Sequence, residues 1–191
     1  HLVEYDDVMN KHREIIYRQR RKIIDSETLK NDVILLIENQ IEEMVLRNAG
    51  NQKETWENVM ALHRDPVNPI AFESLEGKSQ EELMDILKKY LEAEYSEKEK
   101  NLPDPKLMRG AERSIMLRVI DRIWMEHIDE LRYLREAVAL SGYGQRDPLI
   151  EYKNQAFQIF EEMVAKIDYE TLATLMRVKI NVQIVKPAPM P

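Results

Sequence analysis

The chain has 191 residues, of which 43% are hydrophobic and 33% are charged, a balance typical of a soluble, helix-rich protein. Its formal net charge of −7 provides no overall positive field, which argues against a general nucleic-acid binder. The absence of cysteine excludes disulfides and thiolate metal sites. We expect no membrane-spanning helix, because the longest apolar run, residues 33–37, is far shorter than the ~18 to 20 residues that a span requires.

The N-terminal residues 1–7 do not have the pattern of a secretory signal, since no basic start precedes an apolar core. The chain also begins inside a helical pattern and without an initiator Met. We therefore expect it to be a fragment of a longer protein.

Residues 1–25 are predicted to form one helix. Its apolar positions keep a loose helical period: Leu2, Tyr5, Val8 or Met9, Ile15 or Ile16, and Ile23 or Ile24. Its polar face is rich in basic or near-basic residues: Lys11, His12, Arg13, Arg18, Arg20, Arg21 and Lys22. Such a face suits phosphate or anionic lipid headgroups, but acidic residues lie nearby, so a solvated helix face is the simpler interpretation.

Residues 26–106 are predicted to form a compact helical unit. Its first helix has buried positions that begin at Leu29, and it stops at 48–50. A short helix is expected at 55–62, followed by a proline-punctuated loop. Ser79 and Glu82 have the spacing of a capping box, which marks the start of a further helix that ends near residue 102.

Residues 107–177 are predicted to form two long amphipathic helices folded back on each other. The apolar stripe of the first arm comprises Met108, Ala111, Ile115, Val119, Ile123, Ile128, Leu131, Leu134 and Val138. The stripe of the second arm comprises Ala156, Phe157, Phe160, Met163, Val164, Ile167, Leu172 and Leu175. The polar, glycine-bearing segment 141–147 interrupts the pattern, and Asp147 followed by Pro148 predicts a helix start. The sequence therefore predicts an antiparallel helical hairpin.

At ~1.5 Å of rise per residue, arms of about thirty residues extend roughly 45 Å. Tyr143 lies between two glycines at the end of this hairpin, where its ring and hydroxyl suit contact with varied partners. The alternative is an exposed turn whose Tyr143 packs on a neighbouring domain. Trp124 is predicted to be a core anchor that joins the hairpin to the first helix.

After residue 177 apolar and polar residues alternate, the period of a β-strand, over 178–184. Proline-rich residues 186–191 are typical of an extended linker. A lone strand would need a partner sheet elsewhere in a longer protein, or would stay disordered.

We find no catalytic constellation, cofactor site or metal site in the sequence. Gly77-Lys78-Ser79 resembles the end of a phosphate-binding loop, but the motif's first glycine and its preceding strand are missing. No helical di-iron or HExxH zinc pattern surrounds any histidine. His127 is therefore predicted to be a structural hydrogen-bonding residue.

Four runs of residues carry a resemblance to the SecA family, the motor ATPases of bacterial protein export. The runs IWMEHIDELRYLRE at 123–136 and GYGQRDPLIEYK at 142–153 resemble the family's two-helix finger. The run LVEYDDVMN at 2–10, with IYRQR at 16–20, resembles the lower end of its central scaffold helix.

The resemblance implies an all-α fold with a scaffold helix (1–25), a helical wing (26–106), a two-helix finger (107–177), and a strand-like segment that begins a C-terminal linker (178–191). It implies that Tyr143 contacts the translocating preprotein and the SecYEG channel, with the neighbouring loop residues shaping that contact: Gly142, Gly144, Gln145 and Arg146.

The resemblance also implies that ATP and Mg are bound by motor domains of the same parent chain, absent here, and that the protein is cytoplasmic and peripheral on the inner membrane. Two alternatives stay open from the residues. One is a non-enzymatic helical adaptor that binds partner proteins in a groove. The other is a binder of anionic lipid or RNA through residues 11–22, although no nucleic-acid partner is expected.

Overall fold

The computed structural model describes residues 2–49, 51–64, 66–141 and 147–180. Within these ranges the regular structure is entirely helical, which confirms the all-α prediction. The helices are α1 (Leu2–Asp25), α2 (Lys30–Arg47), α3 (Gln52–Met60), α4 (Gln80–Lys100), α5 (Pro105–Ser141) and α6 (Pro148–Arg177), with a 3-10 turn at Phe72–Ser74.

Helix α1 shows which of the paired apolar positions face the core. Ile16 and Ile23 are 1% and 6% exposed, whereas Ile15 and Ile24 are each 46% exposed. Positions seven apart share one face of a helix, so a single stripe of α1 is buried. The helix ends at Asp25, close to the predicted break.

Helix α2 packs against both α3 and α4, and we call these three helices the lobe. The buried stripe of α2 runs through Val33, Ile37 and Ile41, at intervals of four residues, and packs against α4. The predicted capping box of α4 is confirmed: the Ser79 hydroxyl accepts the Glu82 N–H at 3.2 Å, and the Ser79 N–H donates to the Glu82 carboxylate at 2.9 Å.

Helix α3 begins three residues before its predicted start. Asn51 caps it, since its side-chain oxygen accepts the Glu54 N–H at 3.0 Å. The loop that follows α3 is held by Glu94 of α4, which is buried and accepts the backbone N–H groups of residues 67 and 68 at 2.9 and 3.0 Å. These N–H groups give the buried carboxylate the partners it needs.

Helices α5 and α6 form the predicted hairpin and are 37 and 30 residues long. Their extensive mutual packing and their short connection make them antiparallel neighbours. After α6, residues 178–180 form no strand, and the rest of the predicted strand-like segment, 181–184, lies outside the described residues.

Two apolar clusters hold the helices together. The larger, which we call the proximal core, joins α1, α2, α4, α5 and α6 around residues such as Ile16, Ile37, Leu87, Ile120 and Ile167. The smaller, which we call the distal core, lies between the hairpin and the first half of α1. Its buried members are Leu131, Val138, Tyr152 and Ala156, with Tyr5, Val8, Met9, Leu134 and Ile159 packed around them.

One residue of the predicted second-arm stripe was wrong. Phe157 is 59% exposed, whereas Tyr152, which the stripe omitted, is 1% exposed. Tyr152 and Ala156 are four residues apart and share the buried face, so Phe157, about 100° further round the helix, points away from it.

Candidate functional site

The predicted tip of the hairpin lies outside the described residues: Gly142, Tyr143, Gly144, Gln145 and Arg146. The structure does fix where the connecting segment starts and ends. Helix α5 continues to Ser141, and α6 starts at Pro148, where the Asp147 carboxylate accepts the Leu149 N–H at 2.9 Å. The predicted cap and first-turn proline of α6 are thus confirmed, and the contacts of Tyr143 stay a prediction.

The distal part of the hairpin is braced by α1. The rings of Tyr5 on α1 and Tyr152 on α6 meet edge to face with centroids 4.7 Å apart. Arg135 of α5 adds a second link: its guanidinium lies 5.5 Å from the centre of the Tyr5 ring and 3.2 Å from the Asp6 carboxylate. Because α1 contacts both arms, it fixes the direction in which the hairpin extends.

A buried histidine pair lies between the two cores. His12 Nδ1 of α1 and His127 Nε2 of α5 are 3.0 Å apart, and the two residues are 7% and 1% exposed. The ring of His12 also stacks on Phe160 of α6, with centroids 4.2 Å apart. The side chains of the three helices therefore meet here, and the predicted hydrogen-bonding role of His127 is confirmed.

Burial lowers the pKa of both imidazoles, because the charged form is poorly solvated in this position. The pKa of His12 falls from 6.5 to about 4. Burial, together with a smaller effect of the neighbouring His12, lowers the pKa of His127 from 6.5 to about 4. Both rings are thus neutral at neutral pH, which allows one of the two facing nitrogens to donate a proton to the other.

Trp124, the predicted anchor, is 6% exposed and forms part of the proximal core. Its ring lies 6.5 Å from Tyr17 of α1 in an edge-to-face arrangement and 5.7 Å from the His127 ring. The side chain therefore contacts α1 from α5, the position that the anchor prediction requires.

The predicted basic face of α1 is less uniform than its sequence indicates. The prediction that His12 belongs to this face is wrong, because its side chain is buried in the histidine pair. Arg20 pairs with Asp121 at 2.8 Å, and Lys22 pairs with Asp32 at 2.6 Å. Two of these cations, Arg20 and Lys22, thus link α1 to α5 and α2.

A network of charged side chains joins the base of the hairpin to the lobe. Arg109 of α5 lies 2.8 Å from Glu112 and 3.0 Å from Glu99 of α4, and Lys30 of α2 reaches Glu99 at 2.6 Å. The Tyr95 hydroxyl donates to Glu112, which is fully buried. Burial raises the pKa of Glu112, while its bonds to Tyr95 and Arg109 oppose that rise.

Sequence reasoning predicted a hydrogen-bonding role for His127 but missed its buried partner His12 and the buried pair of Tyr95 and Glu112, because it assigned the buried helix faces from apolar side chains. A signal was present for the histidine pair. His12 lies three residues after Met9 and four before Ile16, and His127 has the same relation to Trp124 and Leu131. Spacings of three and four place a residue in the buried stripe whatever its polarity. No comparable signal pairs Tyr95 with Glu112.

The segment Gly77-Lys78-Ser79 does not present free amides for a phosphate. The N–H of Gly77 donates to the Gln52 side chain at 3.1 Å, and that of Lys78 donates to the Leu75 carbonyl at 3.3 Å. The Ser79 N–H is taken by the capping box. A phosphate-binding loop needs these groups to point at its ligand, so the local geometry opposes that function.

Two absences apply to the described part of the chain. None of its helices is long and apolar enough to cross a bilayer. Within the same ranges, no three His, Cys, Asp or Glu side chains come together in a way that could hold a metal ion.

A long helical hairpin that packs against a third helix along its distal half and against a helical lobe at its base is the architecture of a helical scaffold domain. A family model described as the SecA Wing and Scaffold domain matches residues 1–179. The chain therefore belongs to the SecA wing and scaffold family.

The chain is also similar to three curated proteins named protein translocase subunit SecA. The protein from Heliobacterium modesticaldum is 38% identical over 187 residues, which cover 95% of this chain and 22% of that protein. The protein from Pelotomaculum thermopropionicum is 38% identical, with 94% and 21% covered, and that from a Synechococcus strain is 39% identical, with 91% and 19% covered. The chain thus spans about a fifth of the length of these relatives.

Proposed function

We propose that this chain is the scaffold and wing portion of a preprotein translocase, and that its hairpin is the finger that contacts the translocating chain. The family match over residues 1–179 carries this proposal. We assign 1–25 to the scaffold helix, 26–106 to the wing, 107–177 to the finger and 178–191 to the start of a C-terminal linker.

The packing of the hairpin supports a mechanical role. At ~1.5 Å per residue, the 37 residues of α5 form a helix roughly 55 Å long, whose first turns pack against the lobe. The proximal core holds the two arms together near the lobe and the distal core holds them together further out, while Arg135 links α5 to Tyr5 and Asp6 of α1. Because α1 packs against both arms, a displacement of α1 would move the arms and the tip that joins them.

The chemical step belongs to other parts of the longer protein. We propose that ATP and Mg are bound by motor domains of the same parent chain, and that α1 passes their movement to the hairpin. Unfolded preproteins and the SecYEG channel are the partners proposed for the tip, at the cytoplasmic face of the inner membrane. Anionic lipid is a further proposed partner for the cations of α1 that have no described ion pair: Lys11, Arg13, Arg18 and Arg21.

Substitution of Tyr143 tests the proposed function. In the full-length protein we expect Tyr143→Ala to reduce preprotein transport into membrane vesicles, because it removes the ring that contacts the moving chain. Tyr143→Phe keeps the ring and is expected to be milder. Tyr133→Ala is a matched control, since Tyr133 is 63% exposed on α5, away from the tip.

Circular dichroism and ATP hydrolysis without preprotein would show that each variant is folded. Full transport by a folded Tyr143→Ala variant would contradict the role of the tip and favour the adaptor function, in which Tyr143 is dispensable.

A further inference from the structure

The histidine pair divides the bundle of α1, α5 and α6 into two unequal parts. On one side lies the proximal core, which includes Ile16 and Trp124. On the other side lies the distal core, which has four fully buried members. A polar layer contributes less to cohesion than the apolar layers beside it, so the bundle is weakest at this level.

The contact within the layer depends on both rings being neutral. Two nitrogens 3.0 Å apart share one proton, so a second proton between them would replace the hydrogen bond by repulsion. A single added proton would leave a charge in a site where His12 is stacked on Phe160 and is only 7% exposed. Either event favours separation of α1 from the hairpin.

Few charges on the surrounding helices could offset that effect. On α5, the Glu130 carboxylate lies 4.0 Å from His127 Nδ1, but its side chain is 60% exposed and therefore screened by solvent. On α1, Arg13 is bound to Asn10 and Lys11 is exposed. The contact described from α6 is the uncharged Phe160 ring.

We propose that the His12–His127 layer is the joint at which the distal hairpin and the first half of α1 separate, and that this separation takes up protons. This inference concerns the link between α1 and the hairpin and does not depend on what the tip contacts. The closed joint is favoured above pH 6.5, and this preference is lost as the pH falls towards 4, because an opened joint returns each imidazole to its ordinary pKa of 6.5.

The expected magnitude follows from that linkage. At pH 5.5 an imidazole with an ordinary pKa is mostly charged, whereas a buried one with a pKa near 4 is not. The equilibrium constant for opening the joint is therefore about tenfold larger at pH 5.5 than at pH 7.5 for each imidazole that is released, or about a hundredfold larger for the pair.

Hydrogen–deuterium exchange of the full-length protein, read by mass spectrometry and corrected for the intrinsic effect of pH, tests the proposal. Amides of residues 6–16 and 127–138 should lose about a hundredfold in protection between pH 7.5 and 5.5, while those of 83–95 in α4 change little. His12→Gln keeps a hydrogen-bonding side chain that cannot be charged, so about tenfold should remain. The double variant His12→Gln/His127→Gln should lose the dependence.

His63→Gln is the matched control, because His63 is also buried but lies in the lobe, at the end of α3. It should leave the pH dependence of the distal residues unchanged. If the double variant fails to fold, the two single variants and exchange at the imidazole C2 positions of the unsubstituted protein decide the matter.

Two results would overturn the proposal. One is a loss of protection between pH 7.5 and 5.5 that stays about a hundredfold in the His12→Gln or the His127→Gln variant. The other is titration of both imidazoles near pH 6.5 while the distal amides keep their protection.

Discussion

The clearest test of how the hairpin is attached is the replacement of Trp124 by Ala. Trp124 is 6% exposed, and its ring meets Tyr17 of α1 edge to face with centroids 6.5 Å apart. Truncation of a buried aromatic side chain costs ~3 to 5 kcal/mol, through lost transfer energy and the cavity that remains. For a chain of this size, each kcal/mol lowers Tm by roughly 2 to 4 °C, so we expect a decrease of about 6 to 20 °C.

Met125→Ala is the matched control, because Met125 is the next residue and is 62% exposed. It should change the free energy of unfolding by about 0.5 kcal/mol or less. Urea unfolding followed by circular dichroism measures both variants, and a double-mutant cycle with Tyr17→Ala isolates the ring contact, for which we expect about 0.5 to 1.5 kcal/mol. A Trp124→Ala variant as stable as Met125→Ala would refute the anchor role.

Two further predictions concern the lobe. Tyr95→Phe removes the hydroxyl that donates to buried Glu112, so we expect the free energy of unfolding, measured in urea, to fall by about 1 to 3 kcal/mol. Tyr133→Phe, at an exposed position, should change it little. Equal stability of the two variants would mean that the Tyr95–Glu112 bond contributes nothing. Ser79→Ala removes one half of the α4 capping box and should lower the free energy of unfolding by about 1 kcal/mol. Ser79→Asp keeps a capping oxygen and should retain most of the stability of the unsubstituted protein. An Ala variant of unchanged stability would contradict the role of the cap.

Local signals in the sequence were enough to predict the helices and the hairpin. The apolar period placed α5 and α6, and the pair Asp147-Pro148 marked where α6 starts, because cap chemistry acts within one turn. The SecA resemblance, stated from four runs of residues, was confirmed by the family match over 1–179.

The arrangement of side chains between helices was harder to predict. Whether Tyr152 or Phe157 faces α1 depends on the rotation of α6 about its axis, which packing against two other helices decides. The pairing of Tyr95 with Glu112 likewise depends on how α4 docks on α5, and no short-range pattern encodes it. The contact role of Tyr143 came from its place between two glycines at the end of the hairpin and from the resemblance, and it stays a prediction.

Crosslinking from position 143 tests the central claim most directly. A photoreactive amino acid would replace Tyr143 in the full-length protein during export of a stalled preprotein, with position 133 as the control on the outer face of α5. We predict adducts to the preprotein and to the channel from 143 and few from 133. Normal transport without any adduct from 143 would contradict the proposed contact and leave the hairpin as a structural element.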